Sequence, residues 1–181
     1  LKQHTHSRYF AWANGSQAIK PLTFAPQEPL WRCKMYSQGN LSFDTQQVQI
    51  ADMAIIGVRA CDLAALQLQK QHFLQQPHID PWFKQRLESL LIIAVHCSHP
   101  SANCFCHSTG DGPLVTHSYD LALHELEHGF VVDAATTKGQ RVFNKLVVSN
   151  INETHLQEAD KQIHHAISIQ SRALPENDIK N

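Results

Sequence analysis

The residues whose types and spacing could do chemistry are cysteines. Five are spread unevenly: Cys33 stands alone in Trp31-Arg32-Cys33-Lys34-Met35, Cys61 follows an apolar run, and Cys97, Cys104 and Cys106 crowd into a single short stretch. An odd count in a chain too large to need disulfide staples points to metal chemistry rather than cross-linking. From Cys97 onward the spacing is Cys-x6-Cys-x-Cys, in Cys97-Ser-His-Pro-Ser-Ala-Asn-Cys104-Phe-Cys106. Thiolate-only ligation suits iron–sulfur clusters and zinc. A structural zinc site usually draws its thiols from two short Cys-x2–4-Cys knuckles, and none occurs here. A cluster is larger than one ion and accepts ligands spread wider, so Cys61, Cys97, Cys104 and Cys106 read as a cluster-binding set.

Other readings stand beside this one. A free cysteine after a strand is often a small buried hydrophobe, and that is the reading taken for Cys33. A structural zinc module remains open. So does a thiol or hydrolytic enzyme with Cys104 or Cys106 as nucleophile and His96, His99 or His107 as base, although that also needs an orienting partner and an oxyanion site.

The elements that must position these thiols are legible as apolar runs. Met53 to Val58 is a continuous apolar segment of strand length, followed by a helical stretch with Leu63, Leu66, Phe73 and Leu74 on one face. Pro77 and Asp80-Pro81 close that helix. A short helix from about Trp82 to Glu88 leads into Leu90 to Val95, a second buried strand. Two such strands joined by helix make a parallel sheet, which places Cys61 and Cys97 at carboxyl strand ends, where open α/β sheets bind ligands. Four sulfurs are then expected to converge on one edge. Asp62 is expected to cap the helix after Cys61, and Arg59 adds a positive charge to the same loop.

Downstream, Asp120 to His128 reads as a short helix and Phe130 to Ala134 as a third strand. Leu156, Ala159, Ile163 and Ile167 recur at helical spacing, predicting an amphipathic helix from Asn152 to about Ser171. The loop from 98 to 113 has no apolar periodicity and is expected to have little besides a metal group to order it. Residues 1–50 read as a strand- and loop-rich lead-in, with a turn at Asn14-Gly15 and with Pro21, Pro26 and Pro29 bracketing an extended segment. The expected fold is therefore α/β: a mixed or mostly parallel sheet with flanking helices, forming one domain over 1–174, with a disordered tail at 175–181.

Composition sets the outer bounds. The 181 residues are 43% hydrophobic and 17% charged, with a net charge of −1 and no long run of one sign. This asks for neither nucleic acid nor a membrane surface. The longest apolar stretches are too short to span a bilayer, and a cytoplasmic location is expected. Most histidines, including His4, His6, His72, His78, His155, His164 and His165, sit singly on polar stretches and read as solvated. No Gly-x-Gly-x-x-Gly follows a strand, so direct nucleotide or flavin binding is not expected.

At the same residues the sequence resembles the beta subunit of cytoplasmic sulfhydrogenases and the corresponding electron-carrier subunit of anaerobic sulfite reductase, a family of iron–sulfur proteins. The likeness lies in Gly57-Val58-Arg59-Ala60-Cys61-Asp62-Leu63, Asp80-Pro81-Trp82-Phe83, Cys97-x-x-Pro100, Cys104-Phe105-Cys106 and Gly110-x-Gly112-Pro113. Tyr119-Asp120-Leu121 and Lys138-Gly139 continue it. Family members add a ferredoxin-like portion with two further Cys-rich motifs, which this sequence does not contain. The resemblance implies one [4Fe–4S] cluster on the four cysteines, in a redox subunit with no catalytic residue of its own. The partners it implies are a flavin-containing NAD(P)H-oxidising subunit together with a catalytic hydrogenase or sulfite reductase subunit. His107 stands where the family carries a small hydroxyl residue and offers an imidazole as an alternative ligand.

Overall fold

In the computed structural model, which describes residues 8–12, 15, 18–37, 39–45 and 50–174, the first regular element is a single helical turn, α1 (Lys20–Thr23). Pro21 lies in that turn, where its missing N–H has no helical acceptor to lose. The proline-bracketed segment thus opens with helix instead of being extended throughout. β1 (Trp31–Met35) and β2 (Leu41–Thr45) pair antiparallel as a separate two-stranded sheet, with Cys33 opposite Phe43. The turn expected at Asn14-Gly15 and the tail at 175–181 fall outside the described residues, as do His4 and His6.

The two apolar runs are strands, as their length and composition predict. β3 (Met53–Val58) is followed by α2 (Ala60–Leu74), α3 (Pro81–Ser89) and β4 (Leu90–Val95), and β3 pairs with β4 in parallel. Asp80 starts α3 by accepting from the backbone N–H groups of Trp82 and Phe83, each at 2.9 Å. Leu63 and Leu66 of α2 and Phe83 of α3 are almost wholly buried against Val58, Ile92 and Ala94 of the sheet. Burial of each such side chain stabilises the fold by about 1.5–3 kcal/mol.

Residues 121–126, within the segment expected to be helical, are instead strand β5 (Leu121–Leu126). It runs parallel to β4 and antiparallel to β6 (Gly129–Ala134), giving a sheet of order β3-β4-β5-β6. Leu-Ala-Leu-His-Glu-Leu has good intrinsic helix formers, but here tertiary pairing on both edges overrides propensity. A strand buried on both faces also loses the two-residue alternation that would mark it in sequence.

Asp120 anchors this arrangement. Its carboxylate accepts from the Ile92 backbone N–H (2.8 Å) and the Thr136 hydroxyl (2.5 Å), while its backbone N–H donates to the Ile92 carbonyl (2.9 Å) and its carbonyl accepts from Ala135 (3.0 Å). Thr136 in turn caps α4 (Thr137–Phe143) by accepting from the Gly139 N–H at 3.0 Å. A β-carbon at Gly139 would lie 1.9 Å from the Asp120 carbonyl oxygen, so this close backbone approach requires glycine. The helix α4 has no apolar periodicity to announce it; its only signal in the sequence is the capping threonine ahead of a glycine. Lys138 ties it to the start of β4 by donating to the carbonyls of Glu88 (2.9 Å) and Leu90 (2.6 Å). Finally α5 (Glu153–Ser168), capped by Asn152, packs against β5 and buries Ala159, Ile163 and Ala166, close to the predicted helix.

Replacing Asp120 by Ala is expected to cost about 2–3 kcal/mol, since two donors lose their acceptor inside the fold. Asp160→Ala, on the exposed face of α5, should stay within about 0.5 kcal/mol. Urea midpoints at matched m-values measure both. Equal midpoints would show that the buried carboxylate does not bind sheet and helix together.

Candidate metal centre

Because β3 and β4 are parallel with Val58 opposite Ala94, both chains leave the sheet side by side. Cys61 falls in the first turn of α2, and Cys97 lies just beyond β4. The loop after Cys97 returns to the same edge, where the Cys97 N–H donates to the Pro113 carbonyl at 3.1 Å. Cys61, Cys97, Cys104 and Cys106 all line one pocket of about 430 Å³, together with Arg59, Asp62, Ser101 and Pro113. Cys33 lies on β1 and takes no part in it.

The loop from 98 to 113 has more order of its own than its sequence suggests. It is a succession of turns: Cys104 N–H to Ser101 O (3.0 Å), Ser108 N–H to Phe105 O (3.0 Å), Asp111 N–H to Cys106 O (2.9 Å) and the Thr109 hydroxyl to Cys106 O (3.1 Å). These local bonds do not depend on apolar periodicity, which is why pattern reading misses them. At the loop end a β-carbon on Gly112 would meet the Cys106 sulfur at 3.3 Å and the Ala60 methyl at 3.1 Å, so only glycine lets this backbone close on the pocket.

Arg59 supplies the site's fixed positive charge. It is 3% exposed, and its guanidinium donates to the carbonyls of Phe10, Trp12 (2.9 Å) and His96 (3.3 Å) while stacking over the Trp12 ring at 5.6 Å. Its Nε is a buried donor with no protein partner. Asp62 is not the residue that starts the helix: Arg59 holds the N-cap position, and Asp62, third in the helix, accepts the Arg59 backbone N–H at 3.0 Å. His107 is exposed and is not among the residues lining the pocket.

Each thiol also has polar neighbours. Cys104 accepts from the Ser101 N–H at 3.2 Å and contacts its hydroxyl at 3.4 Å. Cys97 accepts a backbone N–H from His99. Cys106 meets the side chain of Gln170, a residue beyond α5 that nothing in the sequence singles out. Protein packed around the Cys61 sulfur and the adjacent Asp62 carboxylate push that thiol up to about 12, with smaller contributions from Cys106 and Cys97. Burial likewise raises Cys97, against the pull of Arg59, and raises Cys106, against its bond to Gln170.

Whether these residues fit a metal group turns on the donor set. Four thiols and a buried guanidinium with an unused donor suit an anionic, thiolate-bound group, and a bound cation would reverse the preference for the protonated thiol. Among the described residues no three His, Cys, Asp or Glu side chains form a group that could hold a metal ion. The four sulfurs therefore share a pocket without the tight convergence expected of them. Zinc needs its thiolates about 2.3 Å from a single centre, whereas a cluster spans more space. The thiol-enzyme reading gains no support from His96: its Nδ1 accepts the Val115 N–H (3.0 Å), its ring packs on His124, and burial, with His124 beside it, lowers it to about 4.

The class that fold and site define is an α/β domain with a cysteine-lined pocket at the carboxyl ends of parallel strands. Over 104 residues the chain is 28% identical to sulfhydrogenase 2 subunit beta from Pyrococcus furiosus, a match covering 56% of this chain and 30% of that protein. It supports a distant relationship to that family, with the match spanning under a third of the relative's length. No protein-family model matches the chain, and no solved structure does. No helix among the described residues is long and apolar enough to cross a membrane.

In metal-free protein the raised thiols carry less thiolate at any given pH, and thiolate is the form that alkylates. With iodoacetamide at neutral pH, labelling at the exposed Cys33 is expected first, with Cys61 slowest and accelerating only as the pH climbs toward 12. Peptide mass spectrometry along a pH series reads the order. Rapid labelling of Cys61 at neutral pH would remove the case for a desolvated thiol.

Proposed function

We propose that this chain is the electron-relay subunit of a cytoplasmic oxidoreductase complex, holding one [4Fe–4S] cluster on Cys61, Cys97, Cys104 and Cys106. Its partners in this reading are a flavin-containing NAD(P)H-oxidising subunit together with a catalytic hydrogenase or sulfite reductase subunit. The observation that carries the reading is that four cysteines, from two strand ends and one loop, line a single pocket beside a buried arginine. The distant relationship to a sulfhydrogenase beta subunit supports the class. Residues 1–174 then act as one iron–sulfur domain.

When bound, such a cluster supplies a one-electron store whose potential depends on charge, solvent and hydrogen bonds to its sulfurs. The chain's own residues set those conditions. Arg59 offsets negative charge, Ser101 and His99 offer backbone N–H groups to Cys104 and Cys97, and Ala65 and Leu66 give the pocket an apolar wall. No side chain is assigned a bond-making role on an organic substrate.

Anaerobic purification followed by iron and acid-labile sulfide analysis tests this directly, with about four of each per chain expected from a [4Fe–4S] centre. Cys61→Ser and Cys97→Ser should lose most of the iron and the brown colour, while Cys33→Ser keeps both. A colourless protein with stoichiometric zinc would overturn the reading. Removing the iron should leave amide protection in β3, β4 and β5 largely intact, because that sheet buries its own apolar core without the metal. Hydrogen exchange on loaded and metal-free protein checks this, and uniform loss across those strands would show that the cluster holds up the whole fold.

A further inference from the structure

Gln170 reaches from the end of α5 to the cysteine loop. Its Oε1 accepts the His107 backbone N–H at 3.2 Å, and its Nε2 donates to the Ala166 carbonyl at 3.4 Å and to the Cys106 sulfur at 3.5 Å. The two ends of an amide are told apart by their partners. Here a backbone donor on one end and a backbone acceptor on the other orient it, so that the nitrogen is the atom with a proton to offer sulfur. The Cys106 thiol also lies 3.7 Å from Oε1. One amide can therefore accept from a neutral S–H or donate to a thiolate, a pairing that neither glutamate nor leucine could supply in both states.

We propose that Gln170 is a positioning residue for the cluster, holding Cys106 at the pocket and raising the cluster's reduction potential through its N–H···S bond. The inference rests on the iron–sulfur reading above. Reduction adds an electron to a centre whose charge is spread over its sulfurs, and a donor aimed at sulfur stabilises the more negative state more. Removing the donor therefore favours the oxidised form. The same segment touches the loop a second time, where the Leu174 N–H donates to the Ser108 hydroxyl at 3.0 Å. That contact does not involve a cysteine, so it separates tethering of the loop from tuning of the sulfur.

The experiment compares the parent chain with Gln170→Leu, Gln170→Glu and Ser108→Ala after anaerobic reconstitution with iron and sulfide. It measures iron content, potential by spectroscopically monitored redox titration, and exchange at the His107 amide. Gln170→Leu is expected to keep the parent's iron, lose protection at His107, and shift its reduction equilibrium about tenfold toward the oxidised form, about 59 mV for a one-electron couple. Ser108→Ala is expected to keep the parental potential. An unchanged potential in Gln170→Leu, or an equal shift in Ser108→Ala, would overturn the tuning. Where Gln170→Leu holds no iron, Gln170→Glu decides: it keeps length and acceptor but offers sulfur no N–H, so a lowered potential supports the proposal and a parental one defeats it. Loss of iron from both, with Ser108→Ala loaded, would reduce Gln170 to a structural support and defeat the tuning as well. A parent chain that takes up no iron instead brings down the cluster reading itself.

Discussion

The parallel pairing of β3 with β4 is the constraint on which the pocket depends. With Val58 opposite Ala94, the chain must leave both strands at the same edge, and the residues that follow become neighbours although a helical crossover separates them in sequence. An antiparallel pairing of the same two runs would send Cys61 and Cys97 to opposite ends of the sheet. The choice is enforced by burial: β4 lies between β3 and β5, and its apolar side chains meet α2 and α3 only in this arrangement. The position of the thiols is thus a by-product of core packing.

Polar contacts then fix what apolar packing leaves loose. Asp120 joins three consecutive parts of the chain through one buried carboxylate, and its partners are backbone groups and a helix cap that would otherwise be unpaired. Arg59 performs the matching task at the pocket, with its guanidinium spread over carbonyls from the lead-in segment and from the end of β4. Both are buried charged groups whose partners come from distant stretches of chain, and together they align the sheet, the lead-in and the cysteine loop.

How much of this can be read in advance follows from what kind of interaction decides each part. β3, β4, α2, α3 and α5 are legible because local pattern and tertiary environment agree there: continuous apolar runs, an Asp-Pro helix start, and helical periodicity in α5. β5 misleads because its residues favour helix while its neighbours on both edges demand a strand. The strand-end placement of Cys61 and Cys97 is legible from the topology rule alone. The order within the cysteine loop is not, since it comes from turn hydrogen bonds that many sequences can make, and neither is Gln170, whose relevance arises only when α5 folds back against the loop.

The lead-in offers a further consequence, concerning where this protein can be cut. Phe10 and Trp12 each give a carbonyl to the Arg59 guanidinium, and the N–H groups of Tyr9 and Phe10 donate to the Glu125 carboxylate at 2.6 and 2.9 Å. Trimming the chain past Trp12 to reach a smaller fragment would therefore strip partners from a buried cation and a buried anion at once, at a cost of about 1–3 kcal/mol for each group left unsatisfied. A minimal fragment that keeps the pocket intact has its amino-terminal boundary before residue 8, and the stretch that looks most like a dispensable leader is part of the wall behind the cysteines.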